Sequence, residues 1–434
     1  MKLERTTLRD ATVALILACC AASAVGAAPV PEAPAGPPVQ LVETRPIESV
    51  LGNPALPEAL ETWLGIIAGA TRSLDFEEFY LSTWPGEPTE EVLAALGKSA
   101  GRGVKVRLIL DARMHRTYPR PADSLAGVPG FAVRVVDFGR IAGGVQHAKY
   151  FIADGATVFL GSQNFDWRAL KHIHELGVRV RDARVAADFS RVFEMDWEAA
   201  TPVGQAPDTT RAFRAAQWTH PPASLPYRIV QAPGDTVQLW PGWSPARFIP
   251  DTTLWDRDLI VRMLDGARRE IVVQVLTYSP SDRQGRDDAL DAALRRAAAR
   301  GVKVELVVSD WETGSPALKE LQALARVPGV AVKLSTVPEW SGGYIPFARV
   351  EHCKYAVVDT LWAWVGTSNW EPGYFHGTRN VSVTMRNRAL AGQAREIFER
   401  SWLAPGAAVL DPDKTYPRKE HGEQAPPGKK KYGG

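Results

Sequence analysis

Two kinds of apolar pattern follow one another along this chain, and the sequence runs through them twice. In "EEVLAALGKSAGRGVKVRLILD" (residues 90–111), apolar side chains recur at helical spacing, a glycine interrupts at Gly103, and a β-rich run ends in Asp111. The same order returns in "DDALDAALRRAAARGVKVELVVSD" (287–310), with Gly301 as the stop and Asp310 as the end. Just upstream of each, "SLDFEEFYLS" and "EIVVQVLTYS" read as strands feeding those helices. Strand, helix, strand in each half predicts an α/β class: two α/β domains, each a mostly parallel sheet flanked by helices. Because the halves are repeats, a pseudo-twofold axis would bring equivalent loops face to face, and a shared site would lie at the domain interface.

Composition sets the boundaries. The start, "MKLERTTLRDATVALILACCAASAVGAAPV", has a charged opening, an apolar run too short for a bilayer span, and small residues at Val25 and Ala27. It reads as a secretory signal over 1–27, so the chain is expected to be exported, periplasmic or secreted. An uncleaved anchor is one alternative, and lipid attachment at Cys19 or Cys20 is another, since "LACC" loosely resembles a lipoprotein box. Residues 28–40 are a Pro/Ala linker, 41–205 the first domain, 206–226 a second linker, 227–410 the second domain. The polar, basic, Pro/Gly-rich end, 411–434, is expected to be disordered.

The formal charge of +2 excludes a whole-molecule drive toward nucleic acid or anionic membranes, so any anion site must be local. Removing 1–27 takes away Lys2, Arg5 and Arg9 against Glu4 and Asp10, leaving +1, and takes two of the three cysteines. Only Cys353 remains, so no intrachain disulfide is expected and the core alone must hold the fold.

The chemistry sits in a second repeat. "HAKYFIADGATVFLGSQN" (147–164) and "HCKYAVVDTLWAWVGTSN" (352–369) place Lys149, Asp154, Gly161 and Asn164 after His147 at the spacings at which Lys354, Asp359, Gly366 and Asn369 follow His352. On an extended strand, residues two apart share a face, so each histidine and lysine present one surface. The returning strand brings Ser162 and Asn164, or Ser368 and Asn369, to the same edge. Two histidines, two lysines and two asparagines can then converge on a phosphodiester: lysine charge and amide donors on its oxygens, one imidazole attacking phosphorus, the other protonating the leaving oxygen. Such a centre needs no metal and no cofactor. The bland alternative, that these are strand residues serving packing or solubility, suits one copy far better than a matched pair. "KHIHE", with His172 and His174, lacks further ligands nearby and reads as a solvated strand face.

The duplicated His-x-Lys motif resembles the signature of the phospholipase D superfamily, over about residues 41 to 403. "GSQNFDWRALKHIHELGV" and "GTSNWEPGYFHGT" look most like the branch containing mammalian lysosomal family members three and four and their bacterial relatives. That resemblance implies a metal-independent phosphodiesterase working through a phosphohistidine. It also implies that His147, Lys149 and Asn164 make one half-site and His352, Lys354 and Asn369 the other. Asp154 and Asp359 fill the motif's aspartate positions, where they are expected to brace the fold. Glu175 falls where superfamily members often carry the carboxylate that orients the histidine; the corresponding position in the second half is Asn380. On that reading Glu175 holds His147, which favours His147 as nucleophile and His352 as general acid.

For substrates, single-stranded nucleic acid is the leading expectation, with Trp167 and Trp370 among the aromatics that would stack on bases. A phospholipase or phosphatidyltransferase is the alternative, and a non-catalytic phosphate binder the third. No obligate protein partner is expected, since one chain carries both half-sites and a monomer suffices.

Overall fold

The computed structural model describes residues 36–206 and 225–433. The signal expected at 1–27 lies outside these residues, as does most of each of the two expected linkers. No described helix is long and apolar enough to cross a membrane.

The first half forms an eight-stranded sheet from β1 (Val39–Thr44), β2 (Ser73–Glu78), β3 (Lys105–Asp111), β4 (Phe131–Val136), β5 (Tyr150–Ala153), β6 (Thr157–Gly161), β7 (Glu175–Arg181) and β8 (Thr201–Pro202). Their spatial order is β1-β7-β6-β5-β2-β3-β4-β8. The second half forms a nine-stranded sheet from β9 (Tyr227–Ala232), β10 (Asp235–Ser244), β11 (Glu270–Val275), β12 (Lys303–Ser309), β13 (Val330–Ser335), β14 (Tyr355–Val358), β15 (Trp362–Gly366), β16 (Asn380–Arg386) and β17 (Ala407–Val409), ordered β9-β10-β16-β15-β14-β11-β12-β13-β17. The six strands β7-β6-β5-β2-β3-β4 therefore match β16-β15-β14-β11-β12-β13, which is the repeat read in the sequence.

The α/β class holds, but the sheets are mixed rather than mostly parallel. Within these two sheets, parallel pairing is confined to β2-β3-β4 and β11-β12-β13 among the described residues. The reason is local. Each helical crossover returns the chain parallel, whereas the motif segments fold back at once as β5–β6 and β14–β15 hairpins, which can only be antiparallel.

The helical pattern of 90–101 becomes α2 (Pro88–Gly101), burying Val92, Leu93 and Leu96 against α1 (Ala59–Gly69) and the sheet. Its counterpart α5 (Ala289–Ala299) buries Leu290, Ala293, Leu294 and Ala297 against α4 (Asp256–Asp265). Gly103 and Gly301 follow them at φ +92° and +84°, a conformation in which an L side chain is strained. These helices cover the outer faces. Between the sheets lies a third core, shared by both halves, into which α3 (Ala183–Ala199) and α6 (Arg388–Leu403) insert Phe189, Phe193, Ile397 and Phe398. One guanidinium crosses it: Arg379, fully buried, meets Asp196 of the other half at 2.7 Å.

Residues 411–433, expected to be disordered, instead run along the body. His421 stacks on Trp311 at 4.1 Å between ring centroids, Lys419 meets Asp310 at 2.9 Å, and the Tyr432 hydroxyl donates to Glu87 in the other half at 2.8 Å. A few aromatic and charged side chains with ready receivers hold a stretch whose composition alone argues for solvent.

Trp63 of α1 shows how tightly the outer core is made: it is fully buried, with Phe151, Phe159 and Phe165 edge-on at 5.5, 5.5 and 5.7 Å. Trp63→Ala is expected to cost about 3–5 kcal/mol. Urea unfolding reads this as a lowered midpoint at unchanged slope, and a loss below about 1 kcal/mol would contradict the packing.

Candidate active site

The two motif histidines arrive just where the halves are joined through their backbones. His147 N–H donates to the carbonyl of Arg379 at 2.9 Å, and His352 N–H to that of His174 at 3.0 Å. Backbone bridges between Gln146 and Arg379, and between His174 and Glu351, flank them.

Each imidazole is held by the opposite half. His352 Nδ1 lies 2.7 Å from Glu175 Oε2, and His147 Nδ1 lies 3.0 Å from Asn380 Oδ1. The expectation that Glu175 orients His147 is therefore overturned. Glu175 begins β7, which faces the other half across the interface, so its carboxylate reaches the other histidine. The Asn380 amide is fixed independently: its Nδ2 donates to the carbonyls of Tyr374 (2.7 Å) and Thr378 (3.4 Å), and its Oδ1 accepts from Thr367 Oγ1 at 2.8 Å. Oδ1 can only accept, so His147 carries its proton on Nδ1, as His352 does opposite a carboxylate. In the neutral rings both Nε2 atoms are left with a lone pair.

The lysines share the same centre. Lys149 Nζ donates to the His147 carbonyl at 2.6 Å and Lys354 Nζ to that of His352 at 2.5 Å. Both are buried. Burial and the neighbouring Lys354 hold Lys149 well below the usual ammonium range, and burial brings Lys354 down to about 8 despite the opposing Glu175. Both histidines sit well below the ordinary imidazole value, first because they are buried and then because each feels both lysines. Each histidine thus lies in the field of both lysines.

Asn164 and Asn369 are buried, and the Oδ1 atom of each lacks a hydrogen-bond partner among the described residues. A phosphoryl oxygen can only accept, so what these amides offer a phosphate is the Nδ2 donor, while each Oδ1 is free for a donor group. The serines are different. Ser162 Oγ accepts from Leu176 N–H at 3.0 Å and donates to the Leu176 carbonyl at 3.3 Å, so it is spent on the backbone beside Glu175 rather than facing a substrate. Its counterpart is Thr367, which holds Asn380; Ser368 points the other way, donating to the buried Asp256 at 3.0 Å. The stacking role expected of the two tryptophans is also corrected. Trp370 is 2 % exposed, in the core beside Trp364. Trp167 is 6 % exposed and packs among Ile173, Ile345 and Val350 with Tyr432 near by. An aromatic next to a motif asparagine leaves the strand edge for the interior when the chain turns there. The motif glycines have a steric reason: a Cβ on Gly161 would lie 2.5 Å from Gly177 Cα across the β6–β7 pair.

Asp154 and Asp359 brace, as expected. Each sits at positive φ, +54° and +56°, at the far end of its hairpin, seven residues from the histidine and so roughly 20 Å along an extended chain. Asp154 accepts from the N–H groups of Thr71, Arg72 and Ser73, and Asp359 from those of Arg268, Arg269 and Glu270. They tie the hairpin turn to the start of β2 or β11.

Other groups give little signal in the sequence. Phe79 lies against His147, ring centroids 4.9 Å apart, with Lys149 Nζ 5.0 Å from its centroid. Tyr374 meets the same imidazole at 5.1 Å. Glu78 is buried, has neither oxygen hydrogen-bonded among the described residues, and faces Lys149; burial pushes its carboxyl well above the usual range. Two adjacent glutamates at the buried end of a strand, "FEEF", are the available hint. His172 and His174 do not form a solvated face. His174 is fully buried between Glu43 and Glu351, 2.7 Å from each, and His172 packs on Trp340 at 4.8 Å, its value brought down to about 3 by burial.

A duplicated α/β scaffold with a histidine and a lysine from each half at one interface defines a pseudo-twofold phosphate-directed centre. The family described as cardiolipin synthase, PLD-like domain, matches residues 64–197 and 260–402. The chain is 33 % identical over 388 residues to the human 5′-3′ exonuclease PLD3, covering 83 % of this chain and 77 % of that one. It is 28 % identical to phospholipase D Z of Dictyostelium discoideum, over 85 % and 90 % of the two chains. The structure of phosphatidylserine synthase from Haemophilus influenzae shares the fold at a TM-score of 0.59 and 15 % identity, over 81 % of this chain and 85 % of that one. The chain belongs to the phospholipase D superfamily, in its PLD3/PLD4 branch.

The bracing role of the motif aspartates separates stability from chemistry. Asp359→Ala strands three N–H groups and is expected to cost about 1–3 kcal/mol in urea unfolding, with kcat of the folded enzyme within about tenfold of wild type. A thousandfold loss of kcat without loss of stability would place Asp359 at the reacting centre instead.

Proposed function

We propose that this chain is a phosphodiesterase that degrades single-stranded nucleic acid from an end, through a covalent phosphohistidine. The observation that carries the chemistry is the crossed pair of imidazoles, each held at Nδ1 by the other half with Nε2 open. The nucleic-acid substrate is supported by the 33 % identity to a 5′-3′ exonuclease over most of both chains. Phospholipid is the second reading, supported by the relative named phospholipase D Z.

In the first step His352 Nε2 attacks phosphorus, an N–P bond forms, the P–O bond to the leaving group breaks, and protonated His147 gives its proton to the departing oxygen. In the second, His147 takes a proton from water, the resulting hydroxide oxygen bonds to phosphorus, and the N–P bond returns its electrons to His352. The transferred group makes the His352 ring electron-poor, and the Glu175 carboxylate stabilises that charge, so the nucleophile's role passes from His147 to His352. Lys149, Lys354, Asn164 and Asn369 supply charge and amide donors to the phosphoryl oxygens. No step calls for a metal. We also infer export, on the signal-like pattern of residues 1–27.

The test uses purified protein in EDTA with 5′- and 3′-labelled single-stranded oligonucleotides beside phosphatidylcholine and phosphatidylglycerol vesicles. Stepwise shortening from one end is expected; headgroup release with intact oligonucleotides would overturn the nucleic-acid reading. His147→Asn and His352→Asn should each lower turnover at least about a thousandfold, roughly 4 kcal/mol in the barrier, and near-normal turnover would sink the mechanism.

With a p-nitrophenyl ester, whose leaving group needs no acid, His147→Asn should accumulate phosphate on His352 detectable by mass spectrometry. Label on any other side chain would refute the assignment.

The pH dependence of kcat/KM follows from the free enzyme, where one imidazole must be neutral and the other protonated. Both are held below the ordinary value. The protonated partner is lost as pH rises, so the optimum is expected on the acid side of about 6.5; an optimum above about 8 would contradict it.

A further inference from the structure

On the first half is a cavity of about 420 Å³ between residues 81–85 and 117–124. That is within the range of cavities that hold small organic groups. Its walls include Leu81, Trp84, Pro85, Tyr118, Pro119 and Pro121. Trp84 is 39 % exposed, an unusual place for the largest apolar side chain.

The cavity is linked to the reacting centre by rings. Tyr118 stacks on Tyr80, centroids 5.2 Å apart and planes 25° from parallel. Tyr80 meets Phe79 edge-on at 5.6 Å, and Phe79 meets His147 at 4.9 Å. The Tyr80 ring is pinned by its hydroxyl, which donates to Asp166 at 2.7 Å, and Asp166 is itself held by Arg168.

The rim is basic. The segment "ARMHRTYPR" (112–120) carries Arg113, Arg116 and Arg120, all exposed, whose guanidinium groups make no ion pair among the described residues. The corresponding segment after β12 begins "DWETG", bringing Asp310 and Glu312 instead. On a chain whose formal charge is only +2, this is a local cluster of cations.

Flat apolar walls, aromatic faces and three uncommitted arginines match an occupant with planar rings on a repeating anionic backbone. An acyl chain would use the walls and leave the arginines idle beyond one phosphate. We propose that this cavity binds a base of the single-stranded nucleic acid next to the scissile phosphate, stacked by Trp84 and Tyr118, while Arg113, Arg116 and Arg120 take flanking backbone phosphates. The inference rests on the nuclease reading and adds the path of the strand: over the segment 112–120 of the first half.

The test compares full-length Trp84→Ala, Tyr118→Leu and the triple R113Q/R116Q/R120Q with wild type on a single-stranded oligonucleotide and on bis(p-nitrophenyl) phosphate, which is too small to reach both sites. Removing one stacking face should lower the ratio of oligonucleotide to small-diester kcat/KM by at least about tenfold in each aromatic variant. The triple variant should flatten the salt dependence of oligonucleotide KM, by roughly 0.7 in log–log slope for each phosphate no longer neutralised. Wild-type oligonucleotide turnover with unchanged ratios and slope would overturn the subsite alone. Turnover of the small diester without any of the oligonucleotide would overturn the nuclease reading and the subsite together. Loss confined to vesicle turnover in Trp84→Ala would show an acyl site and overturn the base-binding proposal.

Discussion

Everything at the centre depends on an exchange: each half supplies a histidine and receives, at its Nδ1, an acceptor from the other. Glu175 to His352 and Asn380 to His147 are the two strokes of that exchange. Either half alone would present an imidazole without an orienting partner and a carboxylate or amide without an imidazole. The demand for a rigid interface follows. The shared core, the Arg379–Asp196 pair and the two backbone bridges all lie along the contact that must not slip. An orienting hydrogen bond 2.7–3.0 Å long tolerates little displacement before it breaks.

Within this twofold frame the charges are unequal. Glu175 answers Asn380, Glu77 answers Gln274, and Glu78 answers Val275. The backbone needs only the repeat, but the reaction needs two different histidines, one to be phosphorylated and one to carry a proton. Substituting an amide for a carboxylate keeps the geometry and removes the charge, so the two rings differ in how well they bear a positive charge while standing in equivalent places. Ser162 and Thr367 stand in equivalent places, each bonded to the backbone of the next strand, but only Thr367 also donates to the acceptor that holds the other half's histidine.

What is legible in the sequence is what depends on spacing. The repeat, the crossover helices, their glycine stops and the His-x-Lys pairs all follow from period, and all stand in the fold where the pattern puts them. Contacts across the interface have no sequence interval. Distance along the chain is the only distance a sequence displays, and it assigns Glu175 to the nearer histidine rather than to the one across the interface. Residue type matches Ser368 to Ser162, whereas Thr367 is the register equivalent. Trp167 and Trp370 follow motif asparagines and so read as facing the cleft, although burial of an aromatic outweighs its position beside a polar residue. The bracing aspartates are legible because an aspartate at a hairpin turn has a local reason to be there.

The electrostatics of the centre point the same way as its geometry. Burying two lysines and two histidines together is costly, and the histidines and Lys149 are held far below their usual values, with Lys354 at about 8. Glu175 and Glu78 offset part of that cost, but both are themselves pushed up by burial. The arrangement suits a compact anion that can meet both ammonium groups and accept the amide donors while its phosphorus lies between the two Nε2 atoms. A phosphodiester has one negative charge spread over its non-bridging oxygens. Its arrival favours the charged forms of both lysines and of the histidine that must be the acid, so binding prepares the protonation state that the first chemical step consumes. Recognition and activation are thus one electrostatic event, made possible by an interface that holds the groups ready before the substrate comes.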